Sequence, residues 1–256
     1  MADGLSRPIR RMSAAASAAA LNRIHGESSA EEVLAEALAV HDRGEVALVS
    51  SFGAESVVLL HMLSHIERDL PVLFLETGML FPETLAYQRD LAARFGLRDV
   101  RLIRPDPRDL TVADPDGRLH RRDTDGCCDI RKTLPLQRAL QPFAAWITGR
   151  KRYQSQTRAA LEPFEVEAGT VRMKINPLAL WDAKDAAAYI DRHGLPRHPL
   201  VARGYPSIGC APCTSPVGEG EDPRAGRWRG QAKVECGIHF DGESWIRSAA
   251  SLPGPF

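Results

Sequence analysis

The amino-acid sequence predicts an α/β fold: a parallel sheet sandwiched by helices, followed by an irregular cysteine-containing C-terminal segment. Three observations predict it. Short apolar runs of strand length alternate with stretches of helical periodicity between Glu27 and Gly194. Strands that alternate with helices imply a parallel sheet covered on both faces. From about Leu195 the chain becomes dense in Gly, Pro and Arg, a long irregular stretch of the kind that usually carries function.

The elements follow in order. The start, MADGLSRPIRRMSAAASAAALNR, is rich in Arg, Ser and Ala with one acid, and reads as a tail leading into a first helix, with a transit peptide as the alternative. Residues 27–44, ESSAEEVLAEALAVHDRG, have helical periodicity and a closing Gly44. EVALVSSF from Glu45 is a buried-strand pattern, and ESVVLLHMLSHIERD is helical. PVLFLET from Pro71 is the second strand, and PETLAYQRDLAARFG a helix stopped by Gly96. DVRLIRP from Asp99 is the third strand. CDIRKTLPLQRALQPF from Cys128 is helical with an interruption near Pro135, and AAWITGR from Ala144 is the fourth strand. FEVEAGTVRMKINPL from Phe164 reads as an edge hairpin turning at Gly169, and WDAKDAAAYIDRHG from Trp181 as a helix.

The chain has 256 residues, enough for one large domain or one domain with an appendage. Its 33 basic and 33 acidic side chains cancel, which argues against a nucleic-acid coat or a membrane-surface protein and makes any anion site local. No apolar run approaches the ~20 residues of a membrane span. The five cysteines fall in three places, Cys127–Cys128, Cys210–Cys213 and Cys236. That is not a secreted disulfide framework, so a reducing, cytoplasmic setting with metal or redox chemistry is expected.

Five features carry chemistry. SSFGAES (Ser50 to Ser56) joins a strand to a helix and offers free amides and the positive end of a helix dipole to a phosphate or sulfate. It lacks the Gly-Lys-Ser/Thr ending of a Walker A loop, and an ordinary turn capped by Ser51 stands as the alternative. LETGML (Leu75 to Leu80) follows the next strand and could meet an adenine or ribose through its backbone, or be a plain glycine turn.

Cys127, Cys128, Cys210 and Cys213 are the third feature. Two spaced pairs would normally read as zinc. Here the first pair has no spacer, and neighbouring helical side chains diverge by about 100°. Diverging sulfurs suit the separate iron corners of a [4Fe–4S] cubane better than one tetrahedral ion. Zinc remains the alternative, and unligated cysteines a third. The pair is expected to open a helix, where the dipole favours thiolates.

Cys236, in KVECGIHF, is the fifth, unpartnered cysteine, with Lys233 three residues before it and His239 three after. It is either an accessible nucleophile or a small buried hydrophobe. Finally, positive charge without matching acids gathers at Arg131 and Lys132, along TGRKRYQSQTR (Thr148 to Arg158), and at Arg224, Arg227 and Arg229. All flank the other features, which favours a dianionic ligand held by arginine forks over a solvated face.

In combination, SSFGAES, LETGMLFPETL, CCDIRKTLPL, TGRKRYQSQTR, GCAPCTSPV, RAGRW and ECGIH resemble the assimilatory adenylyl-sulfate (APS) and phosphoadenylyl-sulfate (PAPS) reductases of the iron–sulfur branch, from about Val46 to His239. The resemblance implies an adenine-nucleotide α-hydrolase-like (PP-loop) fold. It implies thioredoxin-dependent reduction of APS to sulfite and AMP through an S-sulfocysteine, in sulfate assimilation and cysteine biosynthesis. Cys127, Cys128, Cys210 and Cys213 would hold one [4Fe–4S] cluster per subunit. Lys132 would lie between cluster and substrate, and Arg224 and Arg227 would hold the phosphosulfate end. Ser50, Ser51, Gly53, Glu55 and Ser56 match the modified phosphate loop; Glu76, Thr77 and Gly78 the nucleotide turn. Gly149 and Arg150 begin the arginine-rich loop. Cys236 matches the nucleophile and His239 the last residue of its motif. Arg229 stands where the family often has an aromatic.

The resulting division is an N-terminal tail (1–25), a nucleotide-binding reductase domain (26–200), and a segment (201–256) with a cluster loop and a mobile part carrying Cys236. Expected partners are APS and a thioredoxin, or a glutaredoxin, supplied in trans; a homo-oligomer is left open. PAPS reduction to sulfite and adenosine 3′,5′-bisphosphate by the same thiol chemistry is the alternative activity. A zinc-stapled nucleotide-binding module is the alternative without catalysis.

Overall fold

The computed structural model describes residues 12–42 and 44–231, together with Lys233 and Gly237. Six strands form one sheet: β1 (Val46–Ser50), β2 (Val72–Leu75), β3 (Val100–Ile103), β4 (Ala145–Ile147), β5 (Phe164–Val166) and β6 (Met173–Ile175), in the order β3-β2-β1-β4-β6-β5. Every neighbouring pair is parallel except β5–β6. The expected hairpin is present, with its second arm, β6, paired to β4 and only β5 at the edge. From β1 the chain steps outward to β2 and β3, then returns to β4 on the other side of β1. This reversal makes the carboxyl ends of β1 and β4 the switch point where an open α/β sheet binds its ligand.

Alternate strand residues feed two apolar layers. Leu48, Phe74, Ile147 and Ile175 join Leu34 of α2 (Ala30–Ala39), Leu60 of α3 (Ser56–Ile66) and Leu91 of α4 (Pro82–Phe95). Ala47, Leu73 and Trp146 point the other way, onto Leu136 and Leu140, which belong to a helix that closes the second face.

Local chemistry sets the boundaries. Pro82 opens α4 and Gly96 closes it in the left-handed region at φ 63°, as expected from sequence. Helix α2 starts at a Ser29–Glu32 capping box but stops at Ala39, short of Gly44. His41 Nδ1 lies 2.9 Å from the Ala37 carbonyl, so a side chain satisfies that end. Ala14–His25, placed by the sequence in a tail, is a helix, α1. Leu21 is fully buried, and Asn22 donates to and accepts from the Phe164 backbone at 2.8 and 3.0 Å, docking α1 on β5.

After β3 come α5 (Pro107–Ala113), α6 (Leu119–Arg122) and α7 (Thr124–Cys128), then a π-helical turn (Asp129–Thr133) and α8 (Leu134–Leu140). Asp123 caps this run by accepting from the Gly126 amide at 2.8 Å. Cys127 and Cys128 therefore close α7 instead of opening a helix, because Asp123 begins it earlier. The expected break near Pro135 is the π turn: proline lacks an N–H and crowds the carbonyl four residues back, and the Leu134 amide bonds Asp129 five back. Helix α9 (Ala183–Arg192) is followed by two 3-10 turns, Val201–Arg203 and Ala211–Cys213, the second within the C-x-x-C loop. Among the described residues no helix is long and apolar enough to cross a membrane.

Candidate active site

The loop after β1 is bent by a buried aromatic. Phe52 is fully buried, adopts φ 47° and packs edge-on against Phe74 with centroids 5.0 Å apart. A left-handed non-glycine costs about 1–3 kcal/mol and persists because packing imposes it. With Phe52 pinned inward, Ser51 is left exposed, and the Gly53 amide donates to Ser56 Oγ at 3.0 Å. Glu55 gives α3 no side-chain cap, so the positive first turn of the helix remains available to an anion. Ser50, Ser51, Gly53, Glu55 and Ser56 all line a cavity of about 270 Å³.

The loop after β4 forms the opposite wall. Lys151 is 2% exposed, and its Nζ lies 2.8 Å from Glu55 Oε2. Tyr153 donates to Glu55 Oε1 at 2.8 Å. Sequence reasoning missed both residues; the basic run was visible, but no local signal marks a lysine whose partner is far along the chain. Gly149 and Arg150 line the cavity. The Arg150 guanidinium, however, also reaches Asn176 Oδ1 (3.0 Å) and Glu165 Oε2 (2.5 Å), which ties much of its charge to the β5–β6 hairpin.

The turn after β2 serves the cysteines. Thr77 is fully buried, and its Oγ1 shares a 3.3 Å hydrogen bond with Cys210 Sγ. The Ala211 amide donates to the Met79 carbonyl at 2.8 Å, and Leu80 bridges Cys210. Thr77 also lines the cavity. Glu76 and Gly78, expected beside a nucleotide, line a separate surface groove, where Glu76 accepts from the Gly78 amide (2.7 Å) and from Arg104 (3.1 Å).

Cys210 lines the cavity, and Cys127 and Cys213 both lie within electrostatic reach of it. None is in a disulfide; Cys127, Cys128 and Cys210 are buried and Cys213 is half-buried. Burial pushes the Cys127 thiol up to about 11, the Arg131 guanidinium pulls the other way, and Cys210 and Cys213 add to the rise. Burial likewise raises Cys213, opposed by Lys132, Arg227 and Lys233. Such thiols lose their protons when a metal binds. Among the described residues no three His, Cys, Asp or Glu side chains stand close enough to hold a metal ion as they are. An all-thiol donor set from two loops fits an iron–sulfur cluster. Trp228 fits too: it is 3% exposed, its Nε1 has no hydrogen-bond partner, and its own amide donates to the Cys213 carbonyl at 3.0 Å.

The cationic residues divide sharply. Arg131 is not available to an anion: its guanidinium, 8% exposed, pairs with the fully buried Asp114 at 2.7 Å and donates to the Thr77 carbonyl at 2.9 Å. Its neighbour Lys132 lines the cavity. Arg224 and Arg227 line it as well, from a segment paired to the C-x-x-C loop through Thr214 and Arg227. A Cβ at Gly209 would push the Arg227 guanidinium aside. Arg229 faces elsewhere, bound to Glu221 at 2.8 and 3.0 Å. Cys236 and His239 lie outside the described residues.

A mostly parallel open sheet with a crevice at its switch point, lined by Lys132, Arg150, Arg224 and Arg227, defines an α/β protein of the kind that binds ligands beyond the strands' carboxyl ends. Residues 45–216 match the phosphoadenosine phosphosulfate reductase domain. The chain is 51% identical over 238 residues to the adenosine 5′-phosphosulfate reductase of Mesorhizobium japonicum, covering 93% of each protein. It is 45% identical to the phosphoadenosine 5′-phosphosulfate reductase of Gloeobacter violaceus, covering 82% of this chain and 88% of that one. A crystal structure of the Candida auris PAPS reductase superposes with TM-score 0.67 at 29% identity, covering 79% of this chain and 97% of that one. The chain belongs to the APS/PAPS reductase family.

Proposed function

We propose that this chain is an adenylyl-sulfate reductase, an oxidoreductase acting on sulfur that converts APS to sulfite and AMP. The observation that carries this reading is the convergence of Lys132, Arg224 and Arg227 on the cavity that the Ser50–Ser56 loop opens. The nucleotide phosphate would take the loop amides and the start of α3. The sulfonate would lie among the three cations. PAPS is the second reading, favoured by the name of the Gloeobacter relative. APS is preferred because the relative that is 51% identical over 93% of both chains is named an adenosine 5′-phosphosulfate reductase.

In the proposed mechanism the Cys236 thiolate attacks the sulfonate sulfur. The S–O bond to the nucleotide breaks, AMP leaves with the electron pair, and Cys236 becomes an S-sulfocysteine. Sulfonate and thiolate repel, and Lys132, Arg224 and Arg227 offset that repulsion where charge develops. A reduced thioredoxin thiolate then attacks Cys236 Sγ and displaces sulfite. The second thioredoxin thiol resolves the mixed disulfide, so two thiols are oxidised as sulfur is reduced.

Cys127, Cys128, Cys210 and Cys213 would hold a [4Fe–4S] cluster, which when bound supplies fixed charge beside Lys132. Turnover of APS and PAPS compared under the same conditions tests the substrate. Iron and acid-labile sulfide assays on anaerobically purified protein test the cluster; zinc at one per chain without sulfide would defeat it.

A further inference from the structure

The groove beside the turn after β2 has the makings of a site of its own. It holds about 440 Å³ and is walled by three segments. Leu85, Gln88 and Arg89 stand three and four residues apart on α4, which puts them on one face of that helix. Leu102 and Arg104 are two residues apart at the end of β3, the spacing that returns side chains to one face of a strand. Strand β3 is at the edge of the sheet, and among the described residues no further strand pairs with it. Glu76 and Leu80 of the turn supply the third wall. Leu80 also lines the active-site cavity, so the two spaces adjoin at this side chain.

Gln88 is only 7% exposed, yet its side-chain amide has no hydrogen-bond partner among the described residues. Buried amides are normally paired within the chain, and one that lines a groove is placed to pair with a guest. Arg89 is exposed and takes part in no ion pair among the described residues. Arg104 is bound to Glu76 at 3.1 Å, and the same carboxylate accepts from the Gly78 amide at 2.7 Å. Two guanidiniums against one carboxylate leave the groove one net positive charge. Arg104 and Glu76 cancel each other, so that charge belongs to Arg89. The remaining wall is aliphatic: Leu80, Leu85 and Leu102, the last of them 43% exposed.

We propose that this groove binds a small aliphatic monocarboxylate, at a site separate from that of the sulfonucleotide. The Arg89 guanidinium takes the carboxylate, whose two oxygens match its planar fork. Gln88 supplies amide donors to the same head group, and the three leucines cover the aliphatic body. A dianion is disfavoured, because its second charge would face Glu76. A neutral ligand would leave Arg89 unused. The volume lies in the range of small-molecule sites. The guest rests on the turn whose Thr77 Oγ1 shares a 3.3 Å hydrogen bond with Cys210 Sγ, so the groove borders the thiol set as well as the cavity.

The experiment titrates the full-length protein with hexanoate, followed by ligand-observed NMR, with hexanamide and inorganic phosphate as comparisons. The groove predicts one hexanoate site with a Kd on the order of 1 mM, the range open to a ligand of about eight heavy atoms. Hexanamide has the body without the charge and phosphate the charge without the body, and each binds at least about tenfold more weakly. Arg89→Ala weakens hexanoate about tenfold and Gln88→Leu about fivefold, while both keep AMP affinity within about twofold. Saturating AMP leaves the hexanoate Kd within about twofold of its value alone. Arg89 is exposed, so its variant decides the matter even if Gln88→Leu does not fold. Hexanoate that fails to bind, that binds Arg89→Ala as tightly as wild type, or that phosphate matches would overturn the proposal. Displacement of hexanoate by AMP would overturn it too, by making the groove part of the nucleotide site. The titration needs no turnover, so a protein inactive on APS would defeat the proposed activity and leave this test standing.

Discussion

Lys151 Nζ lies 2.8 Å from Glu55 Oε2, joining the loop after β1 to the loop after β4 across the switch point of the sheet. The lysine is 2% exposed and also reaches the Gly149 carbonyl at 3.3 Å. The two walls of the crevice are therefore locked by one buried cation, and its loss would leave Glu55 facing the ligand uncompensated.

Lys151→Met is expected to lower folding stability by about 3 kcal/mol, the cost of stranding one member of a buried pair, and to weaken AMP binding at least tenfold. Urea denaturation and calorimetric AMP titration measure the two effects. An unchanged AMP affinity would mean that the pair does not shape the site.

A second buried pair joins Arg131 to Asp114. Asp114→Asn leaves the Arg131 guanidinium without its carboxylate and is expected to cost about 3 kcal/mol or more. Arg131→Lys should not restore stability, since an ammonium cannot bond Asp114 and the Thr77 carbonyl in the guanidinium's fork geometry. Recovery in the lysine variant would contradict this reading.

The three C-terminal arginines should separate by function. Arg224→Ala and Arg227→Ala remove cations from the cavity wall and are expected to lower kcat/KM for APS about a hundredfold each. Arg229→Ala breaks the exposed pair with Glu221 and the bonds to Ser215 Oγ and the Pro216 carbonyl, and should stay within about threefold of wild type. Equal losses in all three would show that position in the cavity is not what matters.

Acid should destabilise the fold through His198. This imidazole is 1% exposed, its Nδ1 accepts from the Leu200 amide at 3.2 Å, and its Nε2–H therefore faces Thr84 Oγ1 at 3.0 Å. Burial pulls its pKa from 6.5 down to about 4. The unfolded chain then binds the proton more readily, so the stabilisation is complete above about pH 6.5 and is lost as pH falls towards 4. The loss amounts to about 3 kcal/mol. His61, lowered to about 4 by burial and then by His65 and His193, acts in the same direction. Urea midpoints measured from pH 7 to pH 4.5 should fall, and less steeply in His198→Asn. Parallel slopes in the two proteins would remove His198 as the cause.

The alternation of strands and helices was legible because it is written in local apolar runs, and Pro82 and Gly96 mark α4 by chemistry confined to its own ends. Boundaries set by distant or unusual partners were not legible. The end of α2 depends on the His41 side chain, and α1 docks through one asparagine onto a strand far along the chain. The same limit governs the site. The four cysteines stand out by type and spacing, yet Arg131 and Lys132 are adjacent in sequence and opposite in role, because Asp114 claims only the first. Lys151 looked like any member of a basic run until the fold set it beside Glu55. Thr77 was expected at a nucleotide and also touches a cysteine, which only the packing of two loops reveals.

The central claim is that Cys236 takes the sulfonate group from APS. Reduced protein mixed with APS in the absence of any thiol, then digested and analysed by tandem mass spectrometry, tests it most directly. The account predicts a single SO₃ adduct on Cys236, formed together with AMP and released as sulfite when reduced thioredoxin is added. An unmodified Cys236 in protein that still releases AMP, or the adduct on another residue, would contradict it.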